Sequence, residues 1–343
     1  MASTAPTEIR KLVATRASTN FREVVQVVTV PTPEPGDGEL LVKNMFLGIN
    51  ASDINNTAGR YFSNAEYPID TGFEALAEVV SAGPNAVYKP GQALIYLQSG
   101  AFCDYKIVKA ATVVPLPAPK PEFLPFILSG NTAAISLDKV GEIKSGETVL
   151  VTAAAGGTGQ IAVQWAKLAG CHVIGTCSSD EKVQFLKELG CDRPVNYTRE
   201  NLKDVLTKEY PNGIDVIYET VGGDMFDTCV ESLAVHGRLI VIGVIESYES
   251  KKDYVLPKAL ANLPSTLLVK SASVRGFFLK QFGSDIGPYM KKQVQYFSEG
   301  KLKSFVDKGE GTASGPFIGL EKVADAVEYL YTKKSKGKII VQM

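Results

Sequence analysis

Histidine is nearly missing from this chain. Two occur in 343 residues, His172 and His236, far apart in sequence. Zinc is held by close sets of Cys, His and acidic side chains, and the five cysteines, Cys103, Cys171, Cys177, Cys191 and Cys229, form no C-x-x-C pair. No metal site is expected. The same odd, scattered set argues against a disulfide frame and for reduced thiols, with Cys177 the one best sited for modification. Long apolar runs are missing too, so no segment reads as a transmembrane helix. Neither sign of charge dominates: 36 Lys+Arg face 37 Asp+Glu, a net charge of −1. That balance leaves no basic field for nucleic acid or for an anionic membrane surface. Met1–Pro6 lack the basic and apolar regions of a signal peptide, and Ile339–Met343 is not a Ser-Lys-Leu address. Cytoplasm is the expected location.

The length allows about two domains, and 45% hydrophobic with 21% charged residues is ordinary for a globular chain. Residues 8–114 carry β runs separated by turn signals: Val24–Val30, Glu39–Ile49, Ala75–Ser81, Ala93–Leu97 and Phe102–Val108. Short strands with regular turns predict a compact, partly closed β domain. The stretch Pro115–Pro121 is too proline-rich for a helix interior or a central strand. It reads as a connection into a helix over 123–140.

From residue 147 the pattern changes to alternating strand and helix, the mark of a doubly wound α/β unit. The key stretch is 148–182, where an apolar β-branched run, Thr148–Thr152, leads into Ala153-Ala154-Ala155-Gly156-Gly157-Thr158-Gly159-Gln160. A helix with Ile161, Trp165 and Leu168 on one face follows, then the run His172–Thr176. Gly157-x-Gly159-x-x-Ala162 fits the dinucleotide pattern, in which glycine lets backbone approach a pyrophosphate at a helix N-terminus and a small third residue lets helix and strand pack closely. Further strands are predicted over Pro194–Tyr197, Ile214–Glu219, Arg238–Ile242, Ser273–Leu279 and Lys338–Gln342, and helices over Lys182–Leu189, Asn201–Tyr210, Asp224–Ala234 and Leu320–Tyr331. Ligands of parallel sheets gather beyond the carboxyl ends of strands. That rule points to one cleft formed by Ala153–Thr158, Ser178, Glu219–Gly222 with Val221, Gly243–Tyr248 and Phe277–Leu279.

The end of the second strand selects the nucleotide. An NAD site places Asp or Glu there to accept from the ribose 2′-hydroxyl, whereas this chain reads Thr176-Cys177-Ser178-Ser179. Ser178 can donate to a 2′-phosphate and Lys182 can supply charge. NADPH is favoured over NADH. Asp180 and Glu181 suit the first turn of the next helix.

Gly48-Ile49-Asn50-Ala51-Ser52-Asp53, Thr71-Gly72-Phe73-Glu74, the 153–160 loop, Gly175–Lys182 and Val195-Asn196-Tyr197 resemble the medium-chain dehydrogenase/reductase family, on its quinone oxidoreductase side. Leu189–Pro194 and Ser271–Phe278 are similar to its prostaglandin-reducing branch. The resemblance covers essentially the whole chain. It implies an α/β fold made of a GroES-like β domain, 1–125 and 280–343, and a Rossmann doubly wound parallel-sheet domain, 126–279. Zinc alcohol dehydrogenases of the family carry Cys where Asn50 stands and His where Phe73 stands, and a phenylalanine ring cannot ligate metal.

The implied reaction is NADPH-dependent reduction of the conjugated double bond in 15-keto-prostaglandins, a small lipid enone as substrate. By resemblance Gly156, Gly157, Thr158 and Gly159 hold the pyrophosphate. Ser178, Lys182 and Tyr197 surround the 2′-phosphate. Val221, Gly243 and Tyr248 flank the nicotinamide half, with Phe277, Phe278 and Leu279 closing over it. Charge gathering on an enone oxygen calls for hydrogen-bond donors, and Asn50, Tyr61 and Tyr248 are the candidates for this role. Quinone reduction is the alternative within enzymes, and an NADPH-binding protein with little turnover is the alternative outside them. A homodimer formed through the edge strand near 273–279 is expected. Substrate contacts would vary in 245–265, which is too irregular to read.

Overall fold

The computed structural model describes residues 5–61, 66–249 and 258–343. The chain divides into two compact units, 1–128 with 306–343, and 129–305.

The first unit begins with β1 (Glu8–Ala14), α1 (Phe21–Val24), β2 (Val25–Pro31), β3 (Glu39–Gly48), α2 (Ser52–Thr57) and the short β4 (Ile69–Asp70). β1 pairs antiparallel with β2 and β4. After β4 come β5 (Glu74–Ala82), β6 (Ala93–Leu97), β7 (Tyr105–Lys109) and β8 (Val114–Pro115). β3 is the hub, pairing antiparallel with both β5 and β7. Leu40, Val42, Leu47, Leu94, Tyr96 and Phe102 fill the core. Asn44 is buried among them and fully engaged, donating to the carbonyls of Ala101 and Cys103 while accepting from the Tyr96 hydroxyl. A buried amide is tolerated only when satisfied in this way.

The second unit contains α3 (Asn131–Ile135), β9 (Thr148–Val151), α4 (Gly159–Leu168), β10 (His172–Cys177), α5 (Asp180–Glu188), β11 (Arg193–Asn196), α6 (Leu202–Glu209), β12 (Ile214–Glu219), α7 (Gly223–Glu231), β13 (Leu233–Val241), α8 (Leu263–Lys270), β14 (Ser273–Gly276) and α9 (Gly283–Ser298). Its six strands run parallel in the order β11-β10-β9-β12-β13-β14. Burial of both faces explains the near-continuous apolar runs TVLV and IDVIYE. The strand order reverses between β9 and β10 on one side and β12 on the other, and ligands bind at such a switch point.

The chain then returns to the first unit with β15 (Val306–Asp307), α10 (Val323–Tyr331) and β16 (Lys338–Gln342). β16 adds antiparallel to the far end of β3.

The second unit extends further than the sequence suggested, taking residues 280–305 from the first domain. Side chains explain this. Gln293 donates to Asn131 and Tyr289 to Asp138, and the Tyr289 ring lies 5.9 Å from Trp165. Two buried glutamines on α4 hold the segment that follows α9. Gln160 exchanges two hydrogen bonds with the backbone of Phe305, and Gln164 does the same with Lys303, at 2.7 to 2.9 Å. Three other expectations shift. Helix α7 stops at Glu231 and β13 begins at Leu233, because Ser232 closes the helix and its carbonyl accepts from Ile214. β14 ends at Gly276, so Leu279 opens a short helical turn to Phe282 rather than ending a strand. Leu168, expected on one face of α4 with Ile161 and Trp165, is 44% exposed, whereas those two are buried.

Candidate functional site

The predicted residues fall in both units: Asn50 and Tyr61 in the first, the others in the second. In the second unit, β9 ends at Val151 and Thr152 begins the glycine turn. The Ala153 and Ala154 amides are taken by the side chain and carbonyl of Thr176 on β10, which fixes the turn to the sheet. Gly159 is forced by space. A Cβ there would lie 2.5 Å from the Ala153 carbonyl oxygen and 2.6 Å from Ala154 Cα. Ala162, one turn on, is wholly buried. The amides of Gln160 and Ile161 reach the carbonyls of Gly156 and Thr158. Among the described residues, no carbonyl or side chain takes the amides of Gly157, Thr158 or Gly159. These are the donors a phosphate group requires.

At the end of β10, Ser179 caps α5 by accepting from the Lys182 amide at 3.3 Å. Ser178 is half-buried, Tyr197 is exposed, and Lys182 is only 8% exposed. A solvated helix lysine would keep its head in water; this one is held beside the strand end. The nearby acid is turned away. Asp180 accepts from Asn196 at 2.8 Å and pairs with Arg199 at 2.7 Å, so its charge is neutralised on the β11 side. Cys177 is 3% exposed, and burial pushes its thiol pKa up. It is shielded and poorly ionised, contrary to its expected susceptibility to modification.

Beyond β13 and β14 lies a cavity of about 440 Å³ lined by Val241, Ile242, Gly243, Val244, Gly276, Phe277, Phe278 and Gln281. Three predicted residues, Gly243, Phe277 and Phe278, thus share one wall. Phe277 stacks on Phe282 at 4.8 Å. The Tyr248 hydroxyl accepts from the Val244 amide at 3.2 Å, and a Cβ on Gly243 would come within 2.9 Å of it. Glycine at 243 lets that hydroxyl sit close to the backbone. Val221 lies in the turn after β12, and its amide goes to Glu219 at 2.7 Å. Leu279 is not among the lining residues. Part of the irregular 245–265 region, residues 250–257, lies outside the described residues.

In the first unit, Asn50 follows β3 and is buried. Its Nδ2 donates to Glu74 Oε1 at 2.9 Å, and its Oδ1 accepts from Lys338 Nζ at 2.5 Å. Its backbone amide donates to Asp53 Oδ2 at 2.8 Å. The side chain predicted to meet substrate is engaged at both ends with a buried ion pair. Asp53 is held by burial at a pKa of about 7, opposed by the Asn50 amide and Lys338 and reinforced by Glu74. Tyr61 is 36% exposed, and its hydroxyl accepts from Asn55 at 3.1 Å.

Lys338 was not singled out in the sequence. The available signal was Glu74, a charge heading the apolar run EALAEVV, which needs a cationic partner if buried. Phe73 precedes Glu74 and supplies no ligand atom. Among the described residues no three His, Cys, Asp or Glu side chains come together to hold a metal. His172 is exposed and lies 2.9 Å from the Tyr210 hydroxyl; His236 is exposed in β13.

Fold and site define an oxidoreductase with a GroES-like β unit and a dinucleotide-binding unit. Residues 36–118 match the alcohol dehydrogenase GroES-like domain family, and residues 157–293 the zinc-binding dehydrogenase family. Prostaglandin reductase-3 of Mus musculus is 51% identical over 99% of this chain and 91% of its own. A Leishmania amazonensis protein named "Probable quinone oxidoreductase" is 44% identical over 98% of this chain and 99% of its own. The structure of CurA from Vibrio vulnificus in complex with NADPH superposes with a TM-score of 0.80 at 26% identity, covering 97% of this chain and 99% of that one. The chain belongs to the medium-chain dehydrogenase/reductase family, on its quinone oxidoreductase-like side.

Proposed function

We propose that this protein is an NADPH-dependent, zinc-independent reductase of the conjugated carbon–carbon double bond in α,β-unsaturated ketones, with 15-keto-prostaglandins as its substrates. The observation that carries the cofactor half is Lys182, almost buried at the end of β10, where Asp180 is drawn off to Arg199. Substrate class is supported by the 51% identity to prostaglandin reductase-3. Bound NADPH would supply a hydride equivalent.

The chain's own work is to bind and orient. Gly157, Thr158 and Gly159 present amides to the pyrophosphate, Ser178, Lys182 and Tyr197 receive the 2′-phosphate, and Gly243, Tyr248, Phe277 and Phe278 shape the apolar shelf for the nicotinamide half. Val221 fixes the turn beneath that shelf, and Leu279 begins the turn that closes it. Tyr61 and Tyr248 each accept a hydrogen bond, from Asn55 and from Val244. In this reading each phenol donates toward an enone oxygen. Asn50 orients the site by holding its strand end to Glu74 and Lys338. Pairing of the edge strand β14 with a second copy completes a homodimer in this reading.

NADPH oxidation in EDTA tests the proposal, with 15-keto-prostaglandin E2, a short alkenone and a quinone assayed side by side and NADH as control. A saturated ketone product, formed with NADPH and insensitive to chelator, is the expected result. A hydroquinone with no prostaglandin turnover favours the quinone reading suggested by the Leishmania relative. Binding of NADPH without turnover of any of the three favours a binding protein.

A further inference from the structure

Glu219, the last residue of β12, is wholly buried. Its Oε1 accepts from the amides of Val221 at 2.7 Å and Gly222 at 3.0 Å, while Oε2 is buried with no hydrogen-bond partner. No lysine or arginine pairs with it among the described residues. A carboxyl group in such a place is unfavourable unless its bonds are needed.

The turn that it holds, 220–222, joins three strand exits. Toward β9, the Thr220 amide donates to the hydroxyl of Thr152, the first residue of the glycine turn, at 2.9 Å. Outward, the carbonyls of Thr220 and Val221 accept from the amides of Ile245 and Glu246 at 3.2 and 3.1 Å. Those residues follow β13 and lead to Tyr248, which leans over Gly243. Gly222, at φ +85°, makes the sharp exit into α7. One carboxyl group therefore fixes a turn whose opposite edge fixes the shelf segment 244–248.

We propose that Glu219 is a positioning residue for the nicotinamide half of the nucleotide, its carboxylate clamping the turn 220–222 and, through that turn, the segment 244–248. The proposal rests on the dinucleotide reading of the second unit. When the carboxylate is charged, both amide bonds are charge-assisted and the turn is tight. When it is protonated they weaken and the shelf loosens. Burial raises this carboxyl group to a pKa of about 7, with the Gly222 and Val221 amides opposing the rise, so the clamp changes strength near neutrality. Cys229 of α7 faces the group. Glu246 lies across the turn against Gly223. β9 contributes the uncharged Thr152, and on β13 Arg238 is bound to Glu147 while His236 is exposed.

The test is calorimetric binding of NADPH and of 2′-phospho-ADP-ribose to the wild type and to Glu219→Gln, from about pH 5.5 to about pH 8.5. Both ligands carry the titrating 2′-phosphate and the same non-titrating pyrophosphate, whereas only NADPH carries the nicotinamide ring. The ratio of their affinities therefore isolates the shelf. In the wild type the preference for NADPH should fall at least about fivefold toward the acid end, and in Glu219→Gln the ratio should be independent of pH. A flat wild-type ratio, or an unchanged pH dependence in the variant, overturns the proposal. The wild-type curve decides alone if the variant does not fold. Failure of both ligands to bind at every pH overturns the dinucleotide reading itself.

Discussion

Lys338 and Glu74 form an ion pair closed to solvent: Nζ lies 2.5 Å from Oε1, with the side chains 2% and 0% exposed. Asn50 bridges the two, accepting from one and donating to the other. Breaking a buried pair by removing one partner costs about 3–5 kcal/mol, because a charge is left uncompensated. Lys338→Met should lower unfolding stability by about that amount in urea melts, and adding Glu74→Gln should restore part of the loss. If the single variant unfolds like the wild type, the pair has no energetic role.

Lys182 is the second test. Charge-assisted hydrogen bonds contribute about 1.5–3 kcal/mol, so Lys182→Ala should raise KM for NADPH about 10- to 100-fold and leave KM for NADH within about twofold. Equal effects on both nucleotides would remove the 2′-phosphate role. Steady-state kinetics with the two cofactors read this directly.

Glycine at 159 has a packing reason separate from its place in a motif. A Cβ there meets backbone of Ala153 and Ala154, whereas a Cβ on Gly156 approaches the Ala153 carbonyl only to 3.3 Å. Backbone cannot swing aside, so Gly159→Ala should cost about 1–3 kcal/mol and reduce NADPH affinity by about tenfold or more. Gly156→Ala should be the milder variant in both thermal melts and binding titrations.

Asp53 makes stability depend on pH. Its folded pKa, about 7, stands above an unfolded value of about 3.9. Between these values the native state holds the proton more tightly, so stability falls as pH rises and levels off above about pH 7. Asp53→Asn should flatten that fall, gaining on the wild type at about pH 8 more than at about pH 5. Denaturant midpoints across this range check it. A slope unchanged by the substitution would place the titration elsewhere.

The second unit was largely legible in sequence because its signals are local. β12 was read to the residue, and the glycine turn with its flanking strand and helix needed only adjacent residues. α9 escaped because Gly283, Gly287 and Pro288 break the helical pattern, and its burial depends on partners such as Asn131 and Asp138, about 150 positions away. The same distance problem hid the buried pair. Nothing near Lys338 distinguishes it from the many lysines around it; only the fold brings it to Asn50, 288 positions earlier. The role of Glu219 was unreadable for another reason, since burial of a strand-end carboxyl group depends on the turn and helix that cover it.

Placing Lys338 on β16 also has a consequence for synthesis. The strand that bears Glu74 is made early, and the whole parallel unit emerges from the ribosome before the lysine that neutralises it. Until then the first unit carries an acidic group facing its own interior with no counter-charge, and its sheet lacks a strand along β3. Co-translational folding therefore favours completion of the inserted unit first. The β unit closes only when the returning chain docks, so its final step waits for residues 306–343 rather than for the strands made first.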